Sequence, residues 1–125
     1  MTGKITVGTI QDTAGNTVAS TYVTNGVAKA WVNANNDATT NSSFNISTGT
    51  DHAIGQFSYT LTNAFTSTND FAEVAVMGGT GGGWSVSRFH TYHAADKLAV
   101  RVANGTSSHA DGDAPHNVIA TGDLA

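Results

Sequence analysis

Trp84, His90, Tyr92 and His93 fall within ten residues of one another. They follow directly on the run Gly78-Gly79-Thr80-Gly81-Gly82-Gly83, which reads as a flexible tip. Aromatic faces stack on sugar rings, and neutral imidazoles exchange hydrogen bonds with sugar hydroxyls. These four residues are therefore the candidate binding surface, with a neutral glycan as the ligand chemistry and packing against a neighbouring subunit as the equal alternative. His90 and His93 also form an H-x-x-H pair. On a helix that spacing places both rings on one face, where they could chelate a metal. Trp84 to His93 alternates as a strand, which puts the two rings on opposite faces, so no metal site is expected. His109-Ala110-Asp111-Gly112-Asp113-Ala114-Pro115-His116 holds two carboxylates and two imidazoles in eight residues. A calcium loop supplies more oxygens and a bidentate Glu, whereas Gly and Pro beside Asp make an ordinary surface turn. The glycine run lacks the Lys-Ser/Thr and the following helix of a phosphate loop. G-x-S-x-G does not occur, and no local motif pairs a nucleophile with a base and an orienting third group. No catalytic residue, metal or cofactor is expected.

The elements that must position these residues are strands. Short β-branched and aromatic runs recur between turn clusters every 8–14 residues along the chain, the pattern of a sandwich or barrel. Ile5 to Ile10 and Val18 to Val23 flank a turn sequence, Gln11 to Asn16. Val27 to Asn33 follows Asn25-Gly26, and Asn35 to Asn41 reads as a polar loop. Ser43 to Ser47 is expected to be one short strand with Phe44 and Ile46 on the same face. Phe57, Tyr59 and Leu61 alternate with Ser58, Thr60 and Thr62, which sets one apolar face and one wet face. Leu98, Val100 and Val102 repeat that phase, so the two triplets are expected to line the core together. Glu73 to Met77 is apolar on both sides and reads as a central strand. Trp31 is expected at the rim of the core. Asn104 to Asn117 is a long loop, and Val118 to Thr121 a last strand.

The whole reads as an all-β antiparallel sandwich of about eight strands. Almost all aromatic residues lie after Asn25-Gly26. Residues 1–26 are accordingly set apart as an N-terminal attachment or oligomerisation segment, and residues 27–125 as the sandwich. A segment with so little to bury is expected to pack on copies of itself or on another protein.

Composition narrows the function. Charged residues are 11% of the chain, and Thr, Asn and Ser supply 40 of its 125 residues, so hydroxyls and amides replace ions in solvating the surface. With five Lys and Arg and a net charge of −4, counterion release at nucleic-acid phosphates is out of reach. No cysteine is present, which excludes disulfide scaffolds and thiol chemistry. No apolar run approaches the length of a membrane span, so no membrane insertion is expected, and no signal-peptide pattern follows Met1.

The opening Ile5-Thr6-Val7-Gly8-Thr9-Ile10-Gln11-Asp12-Thr13-Ala14-Gly15-Asn16 resembles the start of short fibre proteins from phages of aquatic bacteria. Tyr22-Val23-Thr24-Asn25-Gly26-Val27-Ala28-Lys29-Ala30-Trp31-Val32-Asn33 is similar to that family's next signature. Ser43-Phe44-Asn45-Ile46-Ser47, Gly55-Gln56-Phe57-Ser58-Tyr59-Thr60-Leu61 and the closing Gly122-Asp123-Leu124 also look like the family. The likeness covers the first half well and is weaker between Asn63 and His116. It implies a virion structural protein, a homotrimeric fibre or fibre-like decoration; attachment to other virion proteins through the N-terminal segment and contact with a host-surface glycan are the further expectations. It implies no catalytic residues. A capsid decoration protein of the same family and a stand-alone carbohydrate-binding module are the alternatives, and an enzyme is the reading with least support.

Overall fold

The computed structural model describes residues 7–20, 26–78, 84–104 and 112–125. Its ten strands are β1 (Thr9–Gln11), β2 (Thr17–Ala19), β3 (Ala28–Ala34), β4 (Thr40–Phe44), β5 (Ile46–Ala53), β6 (Gln56–Leu61), β7 (Phe71–Met77), β8 (Trp84–Arg88), β9 (Lys97–Asn104) and β10 (His116–Gly122). All pairings are antiparallel. β3 to β10 form two four-stranded sheets, ordered β4-β3-β10-β7 and β5-β6-β9-β8, and β1 and β2 form a separate hairpin. The expected all-β sandwich is the fold.

The two sheets contribute unequal side chains to the core between them. The first sheet turns Ala30, Val32, Ala34, Val118 and Ala120 inward, and the second turns in Phe57, Tyr59, Leu61, Leu98, Val100 and Val102. Small residues facing large ones let the layers interdigitate at the density of a protein interior. Phe57 pairs with Val100 and Tyr59 with Leu98 across β6 and β9, and every member of both triplets is at most 6% exposed. The period-2 phase read from the sequence is therefore the phase of the sheet.

Two readings of strands are corrected. Ser43 to Ser47 is not one strand, because the chain leaves β4 and enters β5 across Asn45, whose φ is +59°. Asparagine tolerates that left-handed backbone, and its amide secures the corner. Asn45 Nδ2 donates to the Lys29 and Asn63 carbonyls at 3.0 and 2.9 Å, and Oδ1 accepts the Asn63 backbone N–H at 2.8 Å. The corner moves the strand from one sheet to the other. It leaves Phe44 exposed on the first sheet while Ile46 packs against the core. Nor is Glu73 to Met77 central: β7 is an edge strand, with Val74 and Val76 turned outward.

Gly49 on β5 is required by a close approach. A Cβ there would sit 2.2 Å from the Ala38 carbonyl oxygen, because the loop between β3 and β4 folds over the strand. Ala38 itself is buried with φ of +62°. In the N-terminal hairpin, Asp12 closes the turn as its side chain type suggests. Its carboxylate accepts the Ala14 and Asn16 backbone N–H groups at 2.9 Å each, and Gly15 takes φ of +87°. The Asn16 side-chain and backbone donors hold the Asp12 carboxyl below its usual pKa. Residues 7–18 are all exposed.

Candidate functional site

β8 and the segment after it carry the four residues singled out for binding. Trp84 opens β8 opposite Asn104. The strand ends at Arg88 rather than running to His93. Beyond it the Phe89 N–H donates to the Ala99 carbonyl at 2.7 Å, and residues 90–92 turn. The turn separates the histidines more sharply than a strand would. His90 is exposed, whereas the His93 side chain is 1% exposed.

Tyr92 packs on a partner that its sequence neighbourhood does not contain. Its ring stacks on His52 with centroids 3.7 Å apart and planes 11° apart, and it meets Phe89 edge-on at 5.2 Å. His52 lies where the β5–β6 register shifts between Asp51 and Ala53, and such an irregularity re-aims a side chain. Its Nε2 is 2.8 Å from the hydroxyl of Ser58, a residue of β6 that is 2% exposed. His52, Tyr92 and Phe89 thus form an aromatic cluster at the second sheet, with His90 beside it in the chain.

His93 faces the other way, into the seam between β7 and β8. Its ring stacks on Phe71 at 4.6 Å, and Phe71 stacks on Phe65 at 4.2 Å, making a column of three rings. Arg88 Nη2 is 2.7 Å from His93 Nδ1. A guanidinium only donates, so Nδ1 is the acceptor, and the neutral ring carries its proton on Nε2. Nε2 lies 3.4 Å from Glu73 Oε2, in a side chain that is 3% exposed. Arg88 also reaches the Thr68 carbonyl at 3.4 Å and lies 5.8 Å from the Phe71 ring centroid. The hydrogen-bond direction therefore runs from Arg88 through His93 toward Glu73. The last step is poor, since both Glu73 oxygens and His93 Nε2 are buried without a well-formed side-chain hydrogen bond among the described residues. Burial pushes the Glu73 carboxyl up to about 7, opposed by the Arg88 charge and the Ala99 backbone amide. Burial also pulls His93 down to about 4, reinforced by the Arg88 and His90 charges. Nδ1 spends its lone pair on Arg88 and Nε2 carries the proton, so the neutral His93 ring has no lone pair free to act as a base or a metal ligand. The cluster ties β7 to the turn after β8.

The Asp- and His-rich stretch divides in the same manner. His109 and Asp111 lie outside the described residues, as do residues 79–83 of the glycine run. Asp113 Oδ1 accepts the Gly55 backbone N–H at 2.8 Å, which anchors the β5–β6 turn. His116 is buried in the core: its Nδ1 donates to the Ala114 carbonyl at 2.9 Å, and its Nε2 accepts the Tyr59 hydroxyl. Among the described residues no three His, Asp or Glu side chains converge as metal ligands would.

The outer face of the first sheet was not expected to matter. Register places Phe44, Trp31, Ile119 and Val74 side by side, one from each of its four strands. Trp31 is only half-buried, so its expected place at the core rim is taken instead by Val32 and Ala30 beneath it. Val76 extends the apolar row, and around it lie Asn33, Ser42, Asn117 and Thr121. Sequence reading missed Glu73, Arg88 and His52 as well. The one available signal was that Glu73, the only glutamate of the chain, stands within an apolar run.

Comparison with known proteins finds no family model, no curated protein and no solved structure that matches the chain.

Proposed function

We propose that the chain is a structural subunit of a bacteriophage particle, a homotrimeric fibre subunit attached through residues 1–26 and displaying the sandwich of residues 27–125. The observation that carries this reading is the N-terminal hairpin. Residues 7–18 are exposed throughout, with Val7 and Ile10 more than 40% exposed, although β3 to β10 already form a complete sandwich. An isolated two-stranded hairpin is marginal in water, so this one is suited to being completed by a neighbour. The sequence resemblance to phage fibre proteins begins on the same hairpin. The sandwich supplies a rigid body, and Trp84, His90 and Tyr92 are the residues through which it would meet a neutral host-surface glycan, with His93 bracing the turn from beneath. Light scattering of the full chain at micromolar concentration tests the assembly. Three times the 12.8 kDa chain mass is the expected result, and a monomer overturns it. Immuno-electron microscopy of particles of the phage that encodes the chain tests the location. Label on projecting fibres is expected; label spread over the capsid shell supports a decoration protein instead.

A further inference from the structure

We propose that the outer face of the β4-β3-β10-β7 sheet is the surface on which a second copy of this chain packs. The proposal rests on the homo-oligomeric reading above and deepens it by placing the contact.

Phe44, Val74, Val76 and Ile119 are each more than half exposed on this face, and Trp31 lies in the middle of the row. An apolar row that crosses all four strands is a contiguous patch, unlike scattered exposed residues, and such patches mark interaction sites. The second sheet shows that the fold does not demand it. There the outward positions are Thr48, Thr60 and Lys97 in one row and Gln56, Arg101 and Ser87 in another, while the row between them is buried at Ser58 and Ala99, where the chain's own His52, Tyr92 and Phe89 cluster.

Charge selects the occupant. The chain has nine carboxylates against five Lys and Arg, so two copies repel over most of their surface. β3, β4 and β10 contain no acidic residue, and the single one in β7, Glu73, points inward. Lys29 is the one charge that β3 sets outward. Copies of an acidic chain can meet here without like-charge repulsion, whereas a basic partner would find nothing to pair with. The polar margin is also prepared for desolvation. Asn41 donates to Asn33 Oδ1 and Asn35 Oδ1 at 2.9 Å each, so these amides satisfy one another before any partner arrives.

Area sets how much of the contact this face supplies. Four strands at about 4.8 Å spacing and seven residues at about 3.4 Å rise span roughly 450 Å². A stable interface takes about 800 Å² from each partner. The face alone falls short of that, and the exposed hairpin with Val7, Ile10 and Val18 is the second apolar surface that a self-assembly can draw on.

The test is sedimentation velocity on the full chain, wild type against Val74→Asp/Ile119→Asp. The expected result is an oligomeric wild type and a variant whose association is weakened at least a hundredfold, with an unchanged circular dichroism spectrum. If the variant remains as associated as the wild type, the face is not the interface, although the oligomeric reading stands. If Ile10→Asp/Val18→Asp dissociates the assembly while Val74→Asp/Ile119→Asp does not, the proposal is likewise overturned. A monomeric wild type overturns both readings. The chain has no cysteine, so Ile119→Cys provides a second measurement that does not depend on the aspartate variants folding. Its thiol labelling should slow as protein concentration rises through the association range, and a concentration-independent rate overturns the proposal.

Discussion

His116 and His93 are both buried imidazoles, yet their surroundings differ in one respect that decides their roles. His116 has a good partner at each nitrogen, the Ala114 carbonyl and the Tyr59 hydroxyl. Phe57 and Tyr59 flank its ring in the core. His93 has a good partner only at Nδ1, where Arg88 donates, while Nε2 faces a carboxylate that is itself poorly satisfied. Both pKa values are lowered by burial. Burial alone therefore does not separate a structural histidine from a strained one; completion of the hydrogen bonds does. A satisfied buried network fixes a unique packing, and a partly satisfied one is where a fold retains the capacity to respond to protonation.

The largest effect that sharpens this contrast is expected for His116→Ala. It empties a site in the middle of the core and leaves the Tyr59 hydroxyl buried with no acceptor. Lost packing plus an unsatisfied hydroxyl should cost about 3–5 kcal/mol. Urea unfolding read by fluorescence measures it, and a loss under 1 kcal/mol would put His116 among the dispensable residues. Tyr59→Phe comes next. It keeps the ring, which is wholly buried, and removes only the hydroxyl, stranding His116 Nε2. The expected cost is about 1–3 kcal/mol.

The sequence made the core legible and the seam illegible, for physical reasons. Strict alternation at Phe57, Tyr59, Leu61 and at Leu98, Val100, Val102 can be satisfied only by a sheet with one buried face, so phase and burial follow from the spacing. The Asp12 to Asn16 turn was equally readable, because Asp, Gly and Asn act on their own backbone. The corner at Asn45 was not, since Phe44 and Ile46 keep the same parity whether the strand runs on or switches sheets. Tyr92 meets His52 only once the strands of the second sheet have paired, and His93 meets Glu73 only after the two sheets are stacked, so no local spacing encodes those contacts. Trp31 was misjudged because a large aromatic on an alternating strand is more often inward. Its outward place follows from parity with Val32, which the first sheet buries.

The smallest effect concerns pH, and it tests whether the Glu73–His93 seam behaves unlike the His116 site. Glu73 has its pKa raised from 4.5 to about 7, so the unfolded chain gives up that proton first. Its contribution to stability is present below pH 4.5 and is lost as pH rises through 7. His93 is lowered from 6.5 to about 4. Its contribution is present above pH 6.5 and is lost as pH falls through 4. Between pH 4.5 and 6.5 the two slopes oppose one another, and the wild type should show little net change in Tm from this pair. His93→Gln removes one slope, so Tm should fall relative to wild type as pH rises from 4.5 to 7. Glu73→Gln removes the other, so Tm should fall relative to wild type as pH drops from 6.5 to 4. Each uncompensated slope should amount to ~1–3 kcal/mol across its window. Thermal unfolding of the three proteins at half-unit pH steps reads all of this at once. Three superimposable profiles would mean that neither group is perturbed by its burial, and the contrast with His116 would lose its basis.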